Sequence, residues 1–265
     1  MRIHVDPRGV GVGNQIFRFM FAAHLCARIP GSCITGYKMP EFGLDDAELP
    51  ASDLLSIGPL HVIDVEALIK SAVAGGYPGI LVDCWAQRLE YFEHDRLFFE
   101  GLFRSNVSGF PTGDDELVIN VRAGEILRAV HPDYSPLPIS FYRELISQSG
   151  LSPVFVGQID DPLYGAALRS AFPEARFLKG AHWIEDFQTV RHATNIVTAI
   201  STFSWLAAWL SMSARRIILP IAGFLDPRQR PDVHLYPRSD CRYEFREIPV
   251  GKFVASKEQM EQLLA

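Results

Sequence analysis

Hydrophobic and polar positions change their spacing along the chain, and each change predicts an element of secondary structure. Residues 2–5 alternate as a short strand, and residues 14–29 then follow a helical period with one apolar face, which ends at Pro30 and Gly31. The stretch that follows is less regular. Between residues 31 and 113 we predict a helix at 65–74, a strand at 80–82, an amphipathic helix at 88–103 and a linker at 105–113.

The second half of the chain alternates more clearly between strands and helices. We predict strands at 116–122, 152–157, 175–178, 195–200 and 216–220, and helices at 139–149, 161–172, 184–194 and 202–212. The strands are short and rich in Val and Ile, which is typical of a doubly wound parallel sheet with its ligand crevice at the carboxyl ends of the strands. We therefore predict an α/β protein of two lobes, residues 1–112 and 113–254, with a C-terminal helix at 255–265 that could pack back on the first lobe.

Composition and charge narrow the class of protein. The chain has 265 residues, 48% of them hydrophobic, and a formal net charge of −6, which argues against disorder and against nucleic acid as the main partner. The sequence has no run of about 18 apolar residues, and nothing near its start resembles the apolar core of a signal peptide, so we expect neither a membrane span nor a secretory signal. The four cysteines form no C-x-x-C pair. We expect a cytoplasmic protein, and peripheral membrane association stays open.

A glycine-rich turn at residues 9–13 joins the first strand to the first helix. Glycines and the free N–H groups of a helix start let a ligand approach the backbone closely. The turn is not a dinucleotide fingerprint, because the third glycine of G-x-G-x-x-G would fall at Asn14, and it lacks the Lys-Ser/Thr of a P-loop. A tight turn that simply needs glycine explains the pattern equally well.

A cation and a carboxylate follow the strand at 116–122. Arg122 lies where this apolar strand runs into a glycine turn, a position suited to binding a phosphate, and Glu125 follows three residues later. Together they suit charge stabilisation of a leaving group and general base catalysis. The alternative is an Arg–Glu ion pair at the surface.

Hydroxyl groups follow the strand at 195–200. Ser201, Thr202 and Ser204 precede or begin a helix, where hydroxyls cap the helix or, with its free N–H groups, bind a phosphate. Capping explains one of the three hydroxyls, so we favour an anion site. Trp205 and Trp209, four residues apart, are more typical of the core.

These features suggest one site. A cleft between the lobes lined by Arg122, Ser201, Thr202 and Gly13 would hold a diphosphate without a metal ion. The sequence has no Asp-x-Asp triplet, HExxH motif or close His/Cys cluster. It therefore predicts a nucleoside-diphosphate donor and a transfer that needs no metal.

Three stretches also match the motifs of a known family. Residues 11–22 are similar to a Gly-Gly-Leu-Gly-Asn-Gln-Leu-Phe opening, and residues 120–125 to a His-x-Arg-Arg-Gly-Asp motif. Asp186 and residues 201–205 match an Asp…Asn-Ser-Ser-Phe-Ser-Trp block in spacing and identity. In this order, the motifs resemble those of the bacterial α-1,2-fucosyltransferases, and they span residues 11–210.

The resemblance implies a GT-B fold of two Rossmann-like lobes with a cleft between them. The first lobe would hold a glycan acceptor and the second GDP-fucose, with inverting transfer of fucose to a hydroxyl, without metal or other cofactor, in polysaccharide biosynthesis. Arg122 would hold the diphosphate, Glu125 would be the general base, and Asp186 would accept hydrogen bonds from guanine. The implied catalytic residues are Arg122 and Glu125, and the implied substrate-binding residues are Gly11, Gly13, Asn14, Asn120, Arg122, Asp186, Ser201, Thr202, Phe203 and Ser204.

The chain departs from the family pattern at several positions, and Glu125 replaces the Asp of the second motif with another carboxylate. Asn120 replaces a His, Ala123 replaces the second Arg, and Leu206 replaces the second Trp. The stretch 215–246 has seven arginines, so a second cation could come from Arg215, Arg228 or Arg230, or the stretch could be a solvated basic face. Two alternatives stay open: another nucleotide sugar, or a nucleotide-binding homologue without transferase activity.

Overall fold

The computed structural model describes residues 1–46, 48, 50, 52–249 and 251–265. The chain divides into two compact units. The first comprises Met1–Asn106 and the short segment Asp232–Tyr236, and the second comprises Val107–Pro231 and Pro237–Ala265. The break after Asn106 lies within the stretch predicted as a linker. Among the described residues, no helix combines the length and the apolar character needed to cross a membrane.

The first unit is built on a four-stranded parallel sheet in the order β2-β1-β6-β5. Its elements in chain order are β1 (Arg2–Val5), α1 (Val12–Cys26), β2 (Cys33–Thr35), β3 (Lys38–Met39), β4 (Leu44–Asp45), β5 (Leu55–Ser56), α2 (Val65–Ala74), β6 (Gly79–Val82) and α3 (Arg96–Leu102). β3 and β4 form a separate antiparallel pair. The predicted strand at 80–82 and helix at 65–74 are confirmed, whereas the short strands β2 to β5 were not predicted.

Helix α1 supplies much of the core of this unit. Its apolar face, the one predicted from the helical period, is buried at Ile16, Phe17, Met20, Phe21 and Leu25. The helix begins two residues before the predicted start and ends at Cys26. The prediction that placed the apolar face is thus confirmed.

The predicted helix at 88–103 is confirmed only in its C-terminal part, where α3 lies. Two short 3-10 turns precede α3, and Phe92 between them has φ −152° and ψ −4°, which is not helical. The N–H groups of Tyr91, Phe92 and Asp95 donate three residues back along the chain, instead of four residues back as in an α-helix. The segment before α3 therefore forms 3-10 turns rather than a continuous α-helix.

The second unit contains a six-stranded parallel sheet in the order β12-β11-β10-β7-β8-β9. Its elements are β7 (Glu116–Val121), α4 (Ile139–Ser149), β8 (Ser152–Gly157), α5 (Tyr164–Ala171), β9 (Arg176–Leu178), α6 (Trp183–His192), β10 (Asn195–Val197), α7 (Thr202–Trp209), β11 (Arg216–Ile221), β12 (Tyr243–Glu247) and α8 (Lys257–Leu264). The predicted alternation is confirmed. Strand β12 was not predicted, and β10 ends three residues before the predicted 200.

The C-terminal helix lies in the second unit. Helix α8 packs on α4, and Nη1 of Arg143 donates to the carbonyl of Ala265 at 3.0 Å. The sequence suggested that this helix could pack on the first lobe, whereas the structure places it in the second unit. The hydroxyl of Ser256 caps α8 by accepting from the N–H of Gln259, so the start of the helix is fixed locally.

Candidate functional site

The order of strands in the second unit defines where a ligand would bind. Counted along the chain, the six strands lie in the order 3-2-1-4-5-6, the arrangement of doubly wound nucleotide-binding sheets. The order reverses between β7 and β10, which are direct neighbours, with Val197 opposite Ile119. Ligands of such sheets bind beyond the carboxyl ends of the strands at this reversal. Arg122 follows β7 and Ser201 follows β10, so two predicted residues lie at this edge.

Arg122 and Glu125 are bound to each other. Nη2 of Arg122 donates to Oε1 of Glu125, and the two side chains are 36% and 38% exposed. The ion pair that the sequence left as an alternative is therefore present. Its exposure leaves both groups within reach of a ligand from solvent.

Gln158, the residue directly after β8, contacts the carboxylate of Glu125. Its Nε2 lies 3.5 Å from Oε2 of Glu125, and its Oε1 accepts from the N–H of Ala123 at 3.1 Å. The turn is tight, since a Cβ on Gly124 would lie 2.8 Å from Oε1 of Gln158. Gln158 thus holds the backbone of the turn and its carboxylate together, and sequence reasoning missed it because its signal is spatial.

Asn120 and Ala123 face the interior. The side chain of Asn120 is 3% exposed, and its Nδ2 donates to the carbonyl of Val156 at 3.3 Å. Ala123 is fully buried. The structure therefore uses the Asn120 amide inside the sheet, and it does not bring this predicted binding residue to the exposed edge.

The hydroxyls that precede and begin α7 have different environments. Ser201 occupies the N-cap position without a capping hydrogen bond from its side chain. Ser204 is fully buried, and its Oγ accepts from the N–H of Ala199 at 2.9 Å, which fixes the turn between strand and helix. Thr202 is partly exposed. Ser201 is also buried, at 6% exposure, so Thr202 is the predicted hydroxyl most accessible to an anion.

Several aromatic rings lie on α7 or pack against it. Phe203 packs edge-on against Trp183 and Phe187, with ring centroids 6.3 Å and 5.3 Å away. Trp205 stacks on Trp209 at 5.6 Å, and both are buried. The last two are core residues, as predicted, whereas Phe203 is partly exposed and joins α7 to α6.

A cavity of about 540 Å³ opens at the carboxyl ends of β7, β8 and β9. Its lining includes Gly124, Gln158, Lys179, Trp183 and Asp186. Asp186 is thus brought to the same edge as the turn that carries Glu125. Neither Arg122 nor Ser201 is among the residues that line this cavity.

Asp186 is the partly buried acid of this cavity. Its Oδ1 accepts from the N–H of Gly180 at 2.8 Å. Burial raises the pKa of the carboxyl above its usual value, an effect that the Gly180 hydrogen bond opposes and the charge of Glu185 reinforces. In its ionised form the group is a partly desolvated carboxylate, which hydrogen-bonds strongly to a pair of N–H donors.

The glycine-rich turn of the first unit leads into α1. Gly9 has φ +70°, so the turn does require glycine there, whereas Gly11 has φ −71°. A Cβ on Gly11 would meet no atom within 4 Å, so its backbone is open to a ligand. Asn14 accepts a hydrogen bond at 3.0 Å through Oδ1 from Nε2 of the buried Gln87, and Gly13 is buried.

Arg18 is a residue of this turn region that sequence reasoning missed. It is buried on α1, and its guanidinium donates to the carbonyls of Asp6 at 2.5 Å, Asp83 at 2.9 Å and Cys84 at 3.1 Å. It thereby ties α1 to the carboxyl ends of β1 and β6. A lone charge within an apolar helix, four residues after Asn14, was the signal available.

Metal ligands do not cluster in the described part of the chain. No group of three His, Cys, Asp or Glu side chains there could hold a metal ion. The four cysteines are free thiols.

No protein-family model matches the sequence, and no curated protein does. Solved structures do match over nearly the whole chain. E. coli heptosyltransferase WaaC with ADP covers 99% of this chain and 96% of its own, at 15% identity and a TM-score of 0.50. E. coli ADP-heptose lps heptosyltransferase II gives 15% identity and a TM-score of 0.47, and WaaC with ADP-2-deoxy-2-fluoro heptose gives 14% and 0.48, with the same coverage. The likeness to WaaC with ADP, together with the two parallel sheets, shows an α/β protein with a GT-B-like fold, as the sequence predicted.

Proposed function

We propose that this protein is an inverting, metal-independent glycosyltransferase that moves a sugar from a nucleoside diphosphate to a hydroxyl of a glycan acceptor. We take GDP-fucose as the donor, on the three motifs of the sequence. The observation that carries the proposal is the position of Arg122 and Ser201 after β7 and β10, the neighbouring strands at which the order of the sheet reverses.

We assign the diphosphate to Arg122 and the start of α7. A guanidinium donates several hydrogen bonds to phosphate oxygens, and the free N–H groups of a helix start add a partial positive charge. The partly exposed hydroxyl of Thr202, at the first residue of α7, supplies a further donor. The charge that develops on the leaving group would be stabilised there without a metal ion.

We assign the role of general base to Glu125. Its carboxylate is exposed enough to reach an acceptor hydroxyl, and Gln158 orients it from the side of β8. A base has to be held within hydrogen-bond reach of the proton it removes. The support by Gln158 supplies that positioning from a rigid strand end.

We assign the nucleobase to the cavity that Asp186 lines. Asp186 presents a partly desolvated carboxylate, and Trp183 offers an aromatic surface in the same cavity. Guanine presents two adjacent N–H donors to such a carboxylate, which adenine does not. This is the physical basis for a guanine nucleotide.

We assign the acceptor to the first unit, with Gly11, Gly13 and Asn14 at its glycine-rich turn. The open backbone at Gly11 and the fixed amide of Asn14 are the polar groups available there for a sugar hydroxyl. We place the reaction in the cytoplasm, on an intermediate of polysaccharide biosynthesis.

A second donor is favoured by a specific observation. The solved structure with a matching fold, WaaC, is described with ADP. An ADP-linked sugar such as ADP-heptose is therefore the alternative donor, and a nucleotide-binding homologue without transferase activity is the alternative to an enzyme.

Thermal denaturation with GDP, ADP, UDP and NAD separates these alternatives. A ligand at 100 times its Kd stabilises the native state by about 2.7 kcal/mol, which raises Tm by roughly 5 °C or more. We expect GDP to give the largest shift and Arg122→Ala to abolish it. Arg215→Ala removes an exposed arginine at the opposite edge of the sheet and should leave the shift unchanged.

Release of nucleotide from GDP-fucose and ADP-heptose then tests the chemistry. We expect turnover of GDP-fucose. A largest shift with ADP and release from ADP-heptose would replace the donor, and a shift without release from either sugar would favour the non-enzymatic homologue. Equal shifts with all four nucleotides would contradict the assignment of the base.

A further inference from the structure

The proposed donor site has one guanidinium from its own motif, and the position after it cannot supply another. Ala123 is fully buried, so a larger side chain there would point into the sheet. A second cation for a diphosphate would have to come from a neighbouring loop. The arginines between residues 215 and 246 are the candidates, and the topology distinguishes among them.

Arg215 lies at the wrong edge of the sheet. It precedes β11, and its N–H donates to the carbonyl of Thr194, just before β10, at 2.8 Å. Its side chain pairs with Asp114, before β7, at 3.5 Å. All three residues lie at the amino ends of parallel strands, whereas Arg122 lies at the carboxyl ends.

Arg228 lies at the correct edge but is held by two acids. Its guanidinium pairs with Asp226 at 2.9 Å and with Glu247 at 3.2 Å, and its side chain is 65% exposed. These acids raise the pKa of Arg228 further above its ordinary value. Its guanidinium therefore lies at the solvent-exposed surface of the loop, where both acids hold it.

Arg230 is more buried than Arg228 in the loop after β11. Its side chain is 23% exposed, its N–H donates to the carbonyl of Asp226 at 2.8 Å, and its Nη1 donates to Asp133 at 3.2 Å. Asp133 also accepts from Nε2 of Gln229 at 2.8 Å. The guanidinium is thus fixed by a carboxylate that is shared with a neighbouring amide.

The loop that carries Arg230 packs against the residues that precede α7. The N–H of Phe224 donates to the carbonyl of Asp133 at 2.9 Å. A Cβ on Gly223 would lie 3.3 Å from Cγ2 of Ile200, the residue directly before Ser201. The loop after β11 therefore lies beside the proposed anion site.

Tyr134 connects this loop to Arg122. Its ring packs against Phe224 with centroids 4.9 Å apart. Burial raises the pKa of the Tyr134 hydroxyl, and the charges of Arg230 and Arg122 both oppose this rise. Strands β7 and β11 flank β10, so the loops after them begin about 10 Å apart.

We propose that Arg230 is the second cation of the donor site and binds the nucleoside diphosphate from the side of β11, while Arg122 binds it from the side of β7. This inference rests on the proposed function. It assigns to Arg230 the charge that the buried position of Ala123 cannot carry.

Isothermal titration tests the inference with GDP, ADP and the matching nucleosides. Arg230→Gln should weaken binding of the preferred diphosphate about 10-fold to 100-fold, the loss expected for one charge-assisted contact, and leave nucleoside binding unchanged. Arg228→Gln, the control in the same loop, should change diphosphate binding less than twofold. Arg230→Lys keeps the charge and should lie between Arg230→Gln and the wild type.

The outcomes separate the two proposals. A wild-type protein that binds neither GDP nor ADP overturns the proposed function and this inference with it. Diphosphate binding by Arg230→Gln equal to that by Arg228→Gln overturns the role of Arg230 alone.

Chemical modification of the wild type gives a test that does not depend on folding of the variants. Phenylglyoxal modifies exposed arginines, and peptide mass spectrometry reports each site. Saturating GDP or ADP should slow modification of Arg122 and Arg230 and leave Arg228 unchanged. Equal modification of Arg230 with and without the bound diphosphate would rule out the contact.

Discussion

The guanidinium of Arg122 donates to the carboxylate of Glu125, three residues later in the chain. These are the two residues to which we assign the leaving diphosphate and the general base. A diphosphate that binds Arg122 competes with Glu125 for the same guanidinium. Binding of the donor would therefore release a carboxylate that Gln158 still orients, so the base becomes available when the donor is present.

Glu125→Gln should preserve binding of the donor and remove turnover. The amide keeps the size of the side chain but cannot accept a proton, and loss of a general base typically costs 10²-fold to 10⁴-fold in rate. The affinity for GDP should stay equal or rise, because the guanidinium of Arg122 loses its competing partner. Titration with GDP and release of GDP from GDP-fucose measure the two effects.

Glu244→Gln is the matched control for this variant. Glu244 forms a two-point ion pair with Arg216, at the first residue of β11, so the change also removes an Arg–Glu pair. It should leave turnover at the wild-type rate. Normal turnover in Glu125→Gln would show that another group removes the proton.

Asp186→Asn should weaken the preference for guanine over adenine nucleotides. The carboxylate accepts two N–H donors, whereas an amide offers one acceptor and one donor, so we expect about a 10-fold loss for GDP and little change for ADP. Binding of GDP should also fall as the pH drops through the raised pKa of Asp186, at a higher pH than an ordinary aspartate would give. Titrations with both nucleotides across pH measure this.

Asp160→Asn is the control for the Asp186 variant. Asp160 lines the same cavity but is half exposed and paired with Lys179. Its substitution should leave the ratio of GDP to ADP affinity unchanged. A ratio equally reduced in both variants would mean a general loss of charge rather than recognition of guanine.

The pH dependence of stability should show the burial of His24. Burial lowers the pKa of His24 from 6.5 to about 4, and Arg28, whose Nη1 lies 3.1 Å from Nδ1, adds to this effect. The unfolded chain therefore binds a proton that the folded ring does not, and stability is lost as the pH falls from 6.5 to about 4. The loss should be about 2 kcal/mol, since partial exposure screens part of the full shift.

Urea denaturation of His24→Gln at pH 7 and at pH 4.5 measures the contribution of His24 to the pH dependence of the free energy of unfolding. The variant should lose less stability over that interval than the wild type. His94→Gln, which replaces an exposed histidine, should follow the wild type. An identical decrease in all three proteins would assign the loss to other groups.

The sequence predicted which residues lie at the carboxyl edge of the second sheet, but it did not predict the residues that contact and position them. The alternation of strands and helices brought Arg122 and Ser201 to neighbouring strand ends, because parallel strands with right-handed crossovers leave few other arrangements. Gln158 is 33 residues from Glu125 and carries no local signal. The break at Phe92 within the predicted helix at 88–103 likewise carries no signal in the local sequence.

Asn120 shows a different limit. The motif placed it two residues before Arg122, but Asn120 lies within β7, whose residues are buried on both faces of the sheet, whereas Arg122 follows the end of the strand. Its amide bonds to Val156 on the neighbouring strand, so its burial depends on the register of β7 with β8. That register is a property of the assembled sheet rather than of the local sequence.

Gly157→Ala should destabilise the protein more than Gly150→Ala, although both glycines have positive φ angles. Gly150 has φ +65° at the end of α4 and no neighbour within 4 Å, so alanine there costs about 1 kcal/mol of backbone strain. Gly157 has φ +110°, and a Cβ there would lie 2.8 Å from the carbonyl oxygen of Val121. The added clash should bring the loss to about 3 kcal/mol or more, measured by urea denaturation. Because Gly157 precedes Gln158, its variant should also lower turnover by moving the support of Glu125, whereas Gly150→Ala should not. Equal losses of stability would mean that the backbone at the ends of β7 and β8 moves easily to accommodate a Cβ. The rigid positioning that we assign to Gln158 would then be wrong.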